Sequence, residues 1–417
     1  MEKHKQHNLW DKPWGYVESF IIGMGLMLAG FAIEASSGSA LTLSIVFPYN
    51  LIILLGYCTL LFVAHKWFSH LQLIRWLTKV PAAISSISLV TFMVMIMGIV
   101  PQTHSDNYLI NLLGFNHITT NWAFILILFV FLSNLGLVTI KRFLQFKWSN
   151  LGFILNHLGL FIALTAGMLG SCDLQRLTIQ TEEEKPSWIA FDEDNNPVEL
   201  PFAFVLNDFR LDEYPPKLAL VDNESGELHF NDGKNLYLIE KGKDYVFGDY
   251  DIKVNDFLVT SGRIGDRYAF VNEFGAPPSA LVQVKDQRDG SLVSGWISCG
   301  SFAKPPQSLK INEQLSLVMT IPEAEKFSSD ITILTKDEQH IKTTLEVNKP
   351  YKHEGWKIYQ YSYDDAFGKW SNTSVLELVK DPWLPYIYIG IFMMIAGAIY
   401  MFWIGNTKIN TQSDELD

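Results

Sequence analysis

One histidine in this sequence lies where an ionisable side chain is costly. His157 falls in an apolar stretch, residues 151–170, that has about the length of a bilayer core and therefore indicates a membrane-spanning helix. An imidazole among hydrocarbon normally faces a partner, a cavity or a ligand. The face of His157 also carries Phe153 and Leu160. A nitrogen donor between large apolar walls is suited to binding haem, and the alternative is a histidine hydrogen-bonded to a neighbouring helix.

Small residues recur every three or four positions along the same helix. Gly152, Gly159 and Gly167 belong to this stripe, which lies roughly 100° round the helix from His157. Small side chains allow the backbone of a second helix to approach closely. We therefore expect one side of this helix to pack against another helix, with the imidazole on the side next to it.

Five further apolar runs accompany this one, and each is near the length that a spanning helix needs. Together they predict six transmembrane helices, at residues 16–35, 46–64, 81–100, 122–140, 151–170 and 383–403.

Basic residues alternate between the short connections that join these runs. Residues 1–15, 65–80 and 141–150 each carry three Lys or Arg, whereas residues 36–45 and 101–121 carry none. Lys3, Lys5 and, in the tail, Lys408 contribute to this pattern. Short cytoplasmic loops are enriched in Lys and Arg, so the alternation predicts that both termini are cytoplasmic.

Two of these connections hold other candidate residues. His104 and His117 lie between the third and fourth runs, just before Trp122, and could bind a metal or the edge of a haem. The alternative is an ordinary polar turn with Trp122 as an interfacial anchor. Glu34, at the end of the first run, either reaches headgroup water or is coupled to these residues.

The connection after the second run is basic and contains His65 and His70. With Lys66 and Arg75 they form a cluster that could meet an anionic lipid or a haem propionate. Anchoring of the helix at the cytoplasmic surface explains the same cluster without a ligand.

Composition divides the 417 residues into two parts. A mean hydropathy of +0.14 with 18% charged residues is too apolar for a wholly soluble protein and too polar for a pure membrane bundle. Residues 171–382 carry 22 Lys and Arg against 36 Asp and Glu, a net charge of −14, and the remainder carries 10 against 8. An acidic segment without a basic cluster excludes nucleic acid as a partner.

The polar segment, residues 171–382, shows short alternating stretches separated by turn signals. Such a pattern predicts an antiparallel sandwich or barrel, with residues 186–201 as a surface connection. The alternating stretches are residues 217–221, 250–259, 280–284, 316–320, 343–347, 356–361 and 374–379, and the turn signals are at 223–226, 232–233, 275–278 and 289–290.

The three cysteines do not form a motif. Cys58 lies in an apolar run, and the spacing of Cys172 and Cys299 leaves it open whether they meet. Without a CxxC pair, neither a dithiol shuttle nor a zinc ribbon is supported.

From the third helix onward the sequence resembles the ResB/CcsB family of cytochrome c biogenesis proteins. The resemblance rests on several short motifs taken together, because no single one is specific. They are GIVPQ at residues 98–102 (family GTxxPQ), NWAF at 121–124 followed by Asn134-Leu135-Gly136 and Arg142 (family SWWF, NL and R), NHLG at 156–159 (family HxG), LNDFRLDEYP at 206–215 (family LxDFxxxYxP), VNKP at 347–350 with GWKIYQ at 355–360 (family VNxPxxxxGxxxYQ), and Asp381-Pro382.

The sequence departs from the family pattern in three ways. Two helices precede the four of the family core, Ile99 replaces a threonine and Ala123 replaces a tryptophan. The chain also lacks the tryptophan-rich WWD segment of the CcsA/ResC-type partner, so it resembles the non-fused form.

The resemblance implies a subunit of a system II complex, which moves haem b across the membrane and attaches it to apocytochrome c. It implies that His157 is an axial ligand of the haem iron. It further implies a CcsA/ResC-type WWD-domain partner, apocytochrome c, a thioredoxin-like thiol reductant, and a location in the bacterial inner membrane. The chain alone is expected to be non-catalytic, as part of a haem-lyase complex.

We therefore expect a polytopic α-helical membrane protein of six transmembrane helices with a large extracytoplasmic, mainly-β domain. Its parts are two N-terminal helices in residues 1–80, core helices three to five in 81–170, the β domain in 171–382, and the last helix and cytoplasmic tail in 383–417.

Two functions unrelated to haem are the alternatives. A membrane transporter would need several intramembrane ionisable residues and broken helices, whereas the predicted core has essentially His157. A tethered extracytoplasmic binding or sensor protein would need a cytoplasmic output domain, and the predicted cytoplasmic parts are short.

Overall fold

The computed structural model describes residues 9–10, 12–37, 45–229 and 236–404. Two compact units divide the chain: a helical unit formed by Met1–Leu174 and Asp381–Asp417, and a β unit formed by Gln175–Lys380. The predictions that rest on Lys3, Lys5, Lys408 and the turn at 232–233 lie outside the described residues.

The helical unit, over its described residues, contains eight α-helices. Six segments of it are long and apolar enough to cross a membrane, which confirms the six predicted spans. The helices are α1 Tyr16–Ser37, α2 Tyr49–Trp67, α3 Gln72–Leu77, α4 Val80–Ile99, α5 Tyr108–Leu113, α6 Trp122–Leu144, α7 Leu151–Gly170 and α8 Leu384–Ile404.

Helix α2 ends later than its apolar run predicts. The run stops at Ala64, but the helix continues to Trp67 and so includes His65 in its last turns. The prediction that His65 lies in the connection after the second helix was therefore wrong. A helix can extend past its apolar residues because its backbone hydrogen bonds do not depend on side-chain hydropathy.

The small residues of α7 pack against α8, as the stripe predicts. A Cβ atom at Gly159 would lie 2.5 Å from the carbonyl oxygen of Gly390, and one at Gly390 would lie 2.5 Å from that of Gly159. Gly152 and Gly397 approach each other similarly two turns away. The two backbones are thus closer than any side chain would permit, which is the contact that small residues make available in a bilayer.

The β unit contains 18 strands over its described residues, and every pairing is antiparallel, which confirms the predicted class. The strands are β1 Gln175–Glu182, β2 Pro186–Phe191, β3 Pro197–Glu213, β4 Lys217–Asp222, β5 Tyr237–Leu238, β6 Asp244–Phe247, β7 Tyr250–Leu258, β8 Ser261–Ile264, β9 Arg267–Phe270, β10 Ser279–Asp286, β11 Leu292–Ser298, β12 Leu309–Lys310, β13 Leu315–Met319, β14 Ala324–Leu334, β15 His340–Glu346, β16 Tyr351–His353, β17 Trp356–Tyr363 and β18 Thr373–Lys380.

An eight-stranded sheet organises this unit, in the order β15-β14-β3-β2-β1-β18-β17-β16. The sheet curls, because Ser329 of β14 and Ser374 of β18 are not on neighbouring strands, yet their hydroxyl oxygens are 2.8 Å apart. Gln360 of β17 donates to the same hydroxyl of Ser374 at 2.9 Å. The curled sheet encloses an apolar core that includes Ile179 and Phe204.

The segment between β3 and β14 forms a second core. Two four-stranded sheets, ordered β11-β10-β7-β6 and β12-β13-β4-β5, pack their apolar faces together. Leu220, Ile252 and Val282 are among the buried side chains between them. Because β3 and β14 pair directly with each other, this sandwich is an insertion into the eight-stranded sheet.

Residues 186–201 are not a surface connection, so that prediction was wrong. They form β2 and the start of β3, which pair as a hairpin. The segment contains three prolines: Pro186 and Pro197 are each the first residue of a strand, and Pro201 lies opposite an irregularity in the β2–β3 register. Proline is tolerated at these positions because no ladder hydrogen bond is lost there.

The glycine contact between α7 and α8 leads to a stability prediction. Replacing Gly159 by Ala should lower the melting temperature of the purified protein in detergent, since the added methyl group must displace backbone; overpacking of this kind costs about 1–3 kcal/mol. The control is Gly56→Ala in α2, where a Cβ would meet nothing within 4 Å. Equal melting temperatures for the two variants would contradict the contact.

Candidate functional site

His157 lies in the second turn of α7 and is half-buried. Its Nδ1 is 3.0 Å from the backbone carbonyl oxygen of Phe153. A carbonyl oxygen only accepts, so Nδ1 carries the proton and Nε2 of the neutral ring keeps its lone pair. Among the described residues Nε2 has no hydrogen-bond partner. The imidazole is therefore held in the tautomer that a metal ligand requires.

Sequence reasoning missed the acceptor of this hydrogen bond. The acceptor is the main-chain carbonyl four residues earlier, the group that a helix brings beneath the side chain. That spacing could have identified it. The ring of Phe153 adds a second restraint, since its centroid lies 3.7 Å from that of the imidazole in a stacked arrangement. On the same phenyl ring, the guanidinium carbon of Arg142 lies 5.4 Å from the centroid.

His157 lines an apolar cavity of about 440 Å³ within the helical unit. Its walls come from α4, α6, α7 and α8, and Ile84, Ile87, Phe131 and Leu160 contribute to them. The volume falls in the range of small-molecule sites, which are mostly apolar with a few placed polar groups. One imidazole with an available nitrogen in such a cavity fits a flat apolar molecule that carries a metal ion.

Asn134 holds the wall of this cavity to the rest of the unit. It is buried in the middle of α6, and its amide nitrogen donates to the carbonyl oxygen of Leu77 at 2.6 Å. Leu77 is the last residue of α3, where carbonyl groups lack partners within the helix. The hydrogen bond therefore fixes α6 against the short α3 next to the cavity.

Glu34 and His117 form a second polar cluster, at the other end of α6. The Glu34 carboxylate is 3% exposed and accepts from Nε2 of His117 at 2.8 Å and from the backbone N–H of Trp122 at 3.0 Å. Nδ1 of His117 lies 2.9 Å from the side-chain oxygen of Asn116. Glu34 is thus coupled to this connection rather than exposed to headgroup water. Both nitrogens of His117 are engaged, so binding of haem there would require one contact to break.

The connection that carries His117 is pinned by two amide side chains. Gln102 donates to the carbonyls of Val100 and Phe115 and accepts from the backbone N–H of Ile118. Asn121 caps α6 by accepting from two of its first N–H groups, and its amide nitrogen donates to Leu113. Both amides belong to the motifs quoted above, and their hydrogen bonds hold the connection between α4 and α6 in place.

His104 lies on the same connection and is exposed. The structure does not bring His104 or His117 to His157, because the cavity of His157 is lined by the second half of α6 and His117 precedes its first residue. Among the described residues, no three His, Cys, Asp or Glu side chains come together as a metal site. Haem binding by His104 and His117 stays a prediction.

Ala123 departs from the family pattern for a physical reason. It is fully buried at the crossing of α6 and α1, where a Cβ at Gly30 would lie 2.3 Å from the Cα of Ala123. An indole at this position would occupy the space of α1, which is one of the two additional N-terminal helices. The smaller residue is therefore required by the helix that packs on it.

Cys299 is the half-buried cysteine of the β unit. Burial raises the pKa of its thiol to about 11, so the thiol is protonated at neutral pH and lacks the thiolate that disulfide exchange requires. The geometry gives no support to dithiol chemistry at this residue.

These features define a polytopic membrane protein with an imidazole-bearing apolar cavity in its helical unit and a large antiparallel β unit in the same chain. Residues 271–373, within the β unit, match the ResB-like family. No curated protein matches the chain. The match covers 103 of the 417 residues, and it agrees with the resemblance that the short motifs of the sequence indicate.

The Glu34 cluster leads to a second stability prediction. Replacing Glu34 by Ala leaves the donors of His117 and Trp122 without an acceptor, and unsatisfied buried donors cost about 1–3 kcal/mol each. The melting temperature of the purified protein should fall. The control is Asp106→Ala, which removes an exposed carboxylate from the same connection. If both variants melt with the wild type, Glu34 has no role in holding this connection.

Proposed function

We propose that this protein is the non-fused membrane subunit of a system II cytochrome c biogenesis complex, in which it handles haem b as a substrate. The observation that carries the proposal is the environment of His157: Nδ1 is bound to the Phe153 carbonyl, and Nε2 is available at an apolar cavity. The match to the ResB-like family supports a place in cytochrome c biogenesis. The available nitrogen of His157 supports haem handling as the role of this subunit.

His157 would be one axial ligand of the haem iron. Haem b supplies an iron that accepts a nitrogen ligand on each face of the porphyrin. The hydrogen bond to Phe153 holds the imidazole plane and raises the basicity of Nε2, as the outer partners of metal-bound histidines do. The apolar walls exclude water from the iron and accommodate the macrocycle.

The second axial ligand would come from a partner subunit of the CcsA/ResC type. Among the described residues that line the cavity, His157 is the only histidine. Met394 of α8 also lines it and is the other side chain with a donor atom suited to haem iron. We assign Met394 to the apolar wall, so that the two subunits together complete the coordination.

The direction of haem movement follows from the proposed orientation. Lys141 and Arg142 lie in the last turn of α6, and Lys79 directly precedes α4. Basic residues at this end favour the cytoplasmic side, about 9 Å along α7 from His157 at the usual rise per residue. Haem would be received from that side, and the extracytoplasmic β unit would serve the steps with apocytochrome c and its thioredoxin-like reductant.

The ligand assignment is tested by removing the imidazole. His157→Ala should reduce haem that co-purifies with the complex to background and abolish holocytochrome c formation, while the protein stays in the membrane. His157→Gly with added imidazole should recover part of the haem. Haem is read from the absorption spectrum, and membrane content from an immunoblot.

The matched control for this experiment is Met394→Leu, which keeps the volume of the wall and should retain haem. Full haem in His157→Ala would refute the axial role. Loss of haem in Met394→Leu with an altered spectrum would assign the second ligand to this chain instead of the partner.

The orientation is tested with reporter fusions. Alkaline phosphatase is active only outside the cytoplasm, so a fusion at Val347 in the β unit should be active and a fusion after Lys408 inactive. The reverse pattern of activities would place the β unit in the cytoplasm and reject the proposed direction of haem movement.

A further inference from the structure

A second chamber lies beside the cavity of His157. It has a volume of about 580 Å³ and is lined mainly by polar and basic side chains, including Lys12, His65, Arg75, Lys79 and Lys141. These residues come from four separate parts of the helical unit, so their convergence is a property of the fold and not of one basic segment.

Within the part of the chain that the structure describes, the cations of this chamber have no counter-charge: none of Lys12, Arg75, Lys79 and Lys141 has a carboxylate within 4.0 Å. His65 adds a buried Nδ1 that has no hydrogen-bond partner among the same residues. Like charges that converge without an anion repel one another, and a bound anion removes that cost.

The start of α4 adds to the positive potential. Helix α4 has 20 residues and begins at Val80 without a side-chain cap. Pro81 has no N–H and the N–H of Ala83 donates to Lys79, so Val80 and Ala82 carry the N–H groups of the first turn that lack a helical acceptor. The N-terminus of a helix favours negative charge because these N–H groups point outward along the dipole.

The chamber and the apolar cavity are adjoining parts of one site. Thr78, Lys79 and Lys141 line both of them. Arg142 lines the apolar cavity at the same end, against the Phe153 ring that stacks on His157. A molecule seated on the imidazole can therefore place an acidic edge among the cations without leaving the cavity.

We propose that this basic chamber binds the two propionates of haem, with Lys79 and Lys141 as the side chains that select them. The inference rests on the proposed function and extends it, because it names what sets the orientation of the substrate. An anionic lipid headgroup shares the charge but not the geometry, since an acyl chain in the cavity makes no use of the available Nε2 of His157.

The test compares haem with its dimethyl ester, in which both carboxylates are neutral. The purified full-length chain, in nanodiscs of phosphatidylcholine, is titrated with each form by absorption spectroscopy. Wild type should bind the free acid about tenfold or more tightly than the diester, as expected for lost charge-assisted hydrogen bonds. The double variant Lys79→Gln, Lys141→Gln should bring the ratio close to one, with the spectrum of bound haem unchanged.

Matched controls separate the site from net charge and from folding. Lys66→Gln with Lys147→Gln removes two exposed cations that line neither cavity. The sequence groups Lys66 with His65 and Arg75, but the structure leaves Lys66 outside the chamber, so this variant should keep the wild-type ratio. Lys79→Arg with Lys141→Arg keeps the charges and should retain most of the selectivity. A wild-type ratio in the Gln variant, or an equal loss in the exposed control, would overturn the inference.

The outcomes also distinguish this inference from the function on which it rests. If wild type binds neither form, alone or in complex with its CcsA/ResC-type partner, the proposed function fails. If His157→Ala abolishes binding of both forms but the Gln variant keeps the wild-type ratio, the function stands and the propionate site is wrong. If the ratio is unaffected and the Gln variant instead loses bound phosphatidylglycerol from nanodiscs that contain it, the chamber is a lipid site.

Discussion

The close packing of α7 on α8 is the constraint on which the helical unit depends. Backbone atoms of Gly159 and Gly390 approach so closely that neither position can carry a side chain. Contact at this distance fixes the rotation of α7 about its axis. Because His157 lies on the neighbouring face, the same contact directs the imidazole towards the cavity formed with α4 and α6. A packing requirement thus determines where the imidazole is presented to the cavity.

Several polar side chains in this unit satisfy main-chain groups near helix ends. The amide of Asn134 donates to the last carbonyl of α3, so we assign it no role with the substrate. Asp381 accepts from the N–H groups at the start of α8, and Asp173 accepts from the backbone N–H of Phe47, which precedes α2. In a bilayer every such group needs an internal partner. His157 differs from them, because one of its two nitrogens is used in this way and the other is left available.

The β unit shows how residues distant in sequence come to share one sheet. The motif segments 206–215 and 355–360 lie on β3 and β17 of the eight-stranded sheet, and the ring of Phe209 lies 5.2 Å from that of Tyr363. The insertion between β3 and β14 has a separate core. The family match at residues 271–373 runs through the end of this insertion and into the curled sheet.

The sequence by itself determined the six spans, the antiparallel β class, the packing stripe of α7 and the family resemblance. Each depends on local pattern: hydropathy over about 20 residues, alternation with a period of two, or spacing along one helix. The hairpin at residues 186–201 was missed, although a strand can begin with proline, as β2 and β3 do.

Only the tertiary structure decided the contacts of the site. His117 pairs with Glu34 of a different helix, and Lys12, Lys79 and Lys141 converge from separate segments. The hydrogen bond of His157 to the Phe153 carbonyl depends on the rotamer of the histidine side chain. The hydropathy periodicity of one helix carries no information about how a neighbouring helix is rotated against it. That rotation is set by packing over the whole unit, and it is what turns scattered basic residues and one imidazole into adjoining chambers.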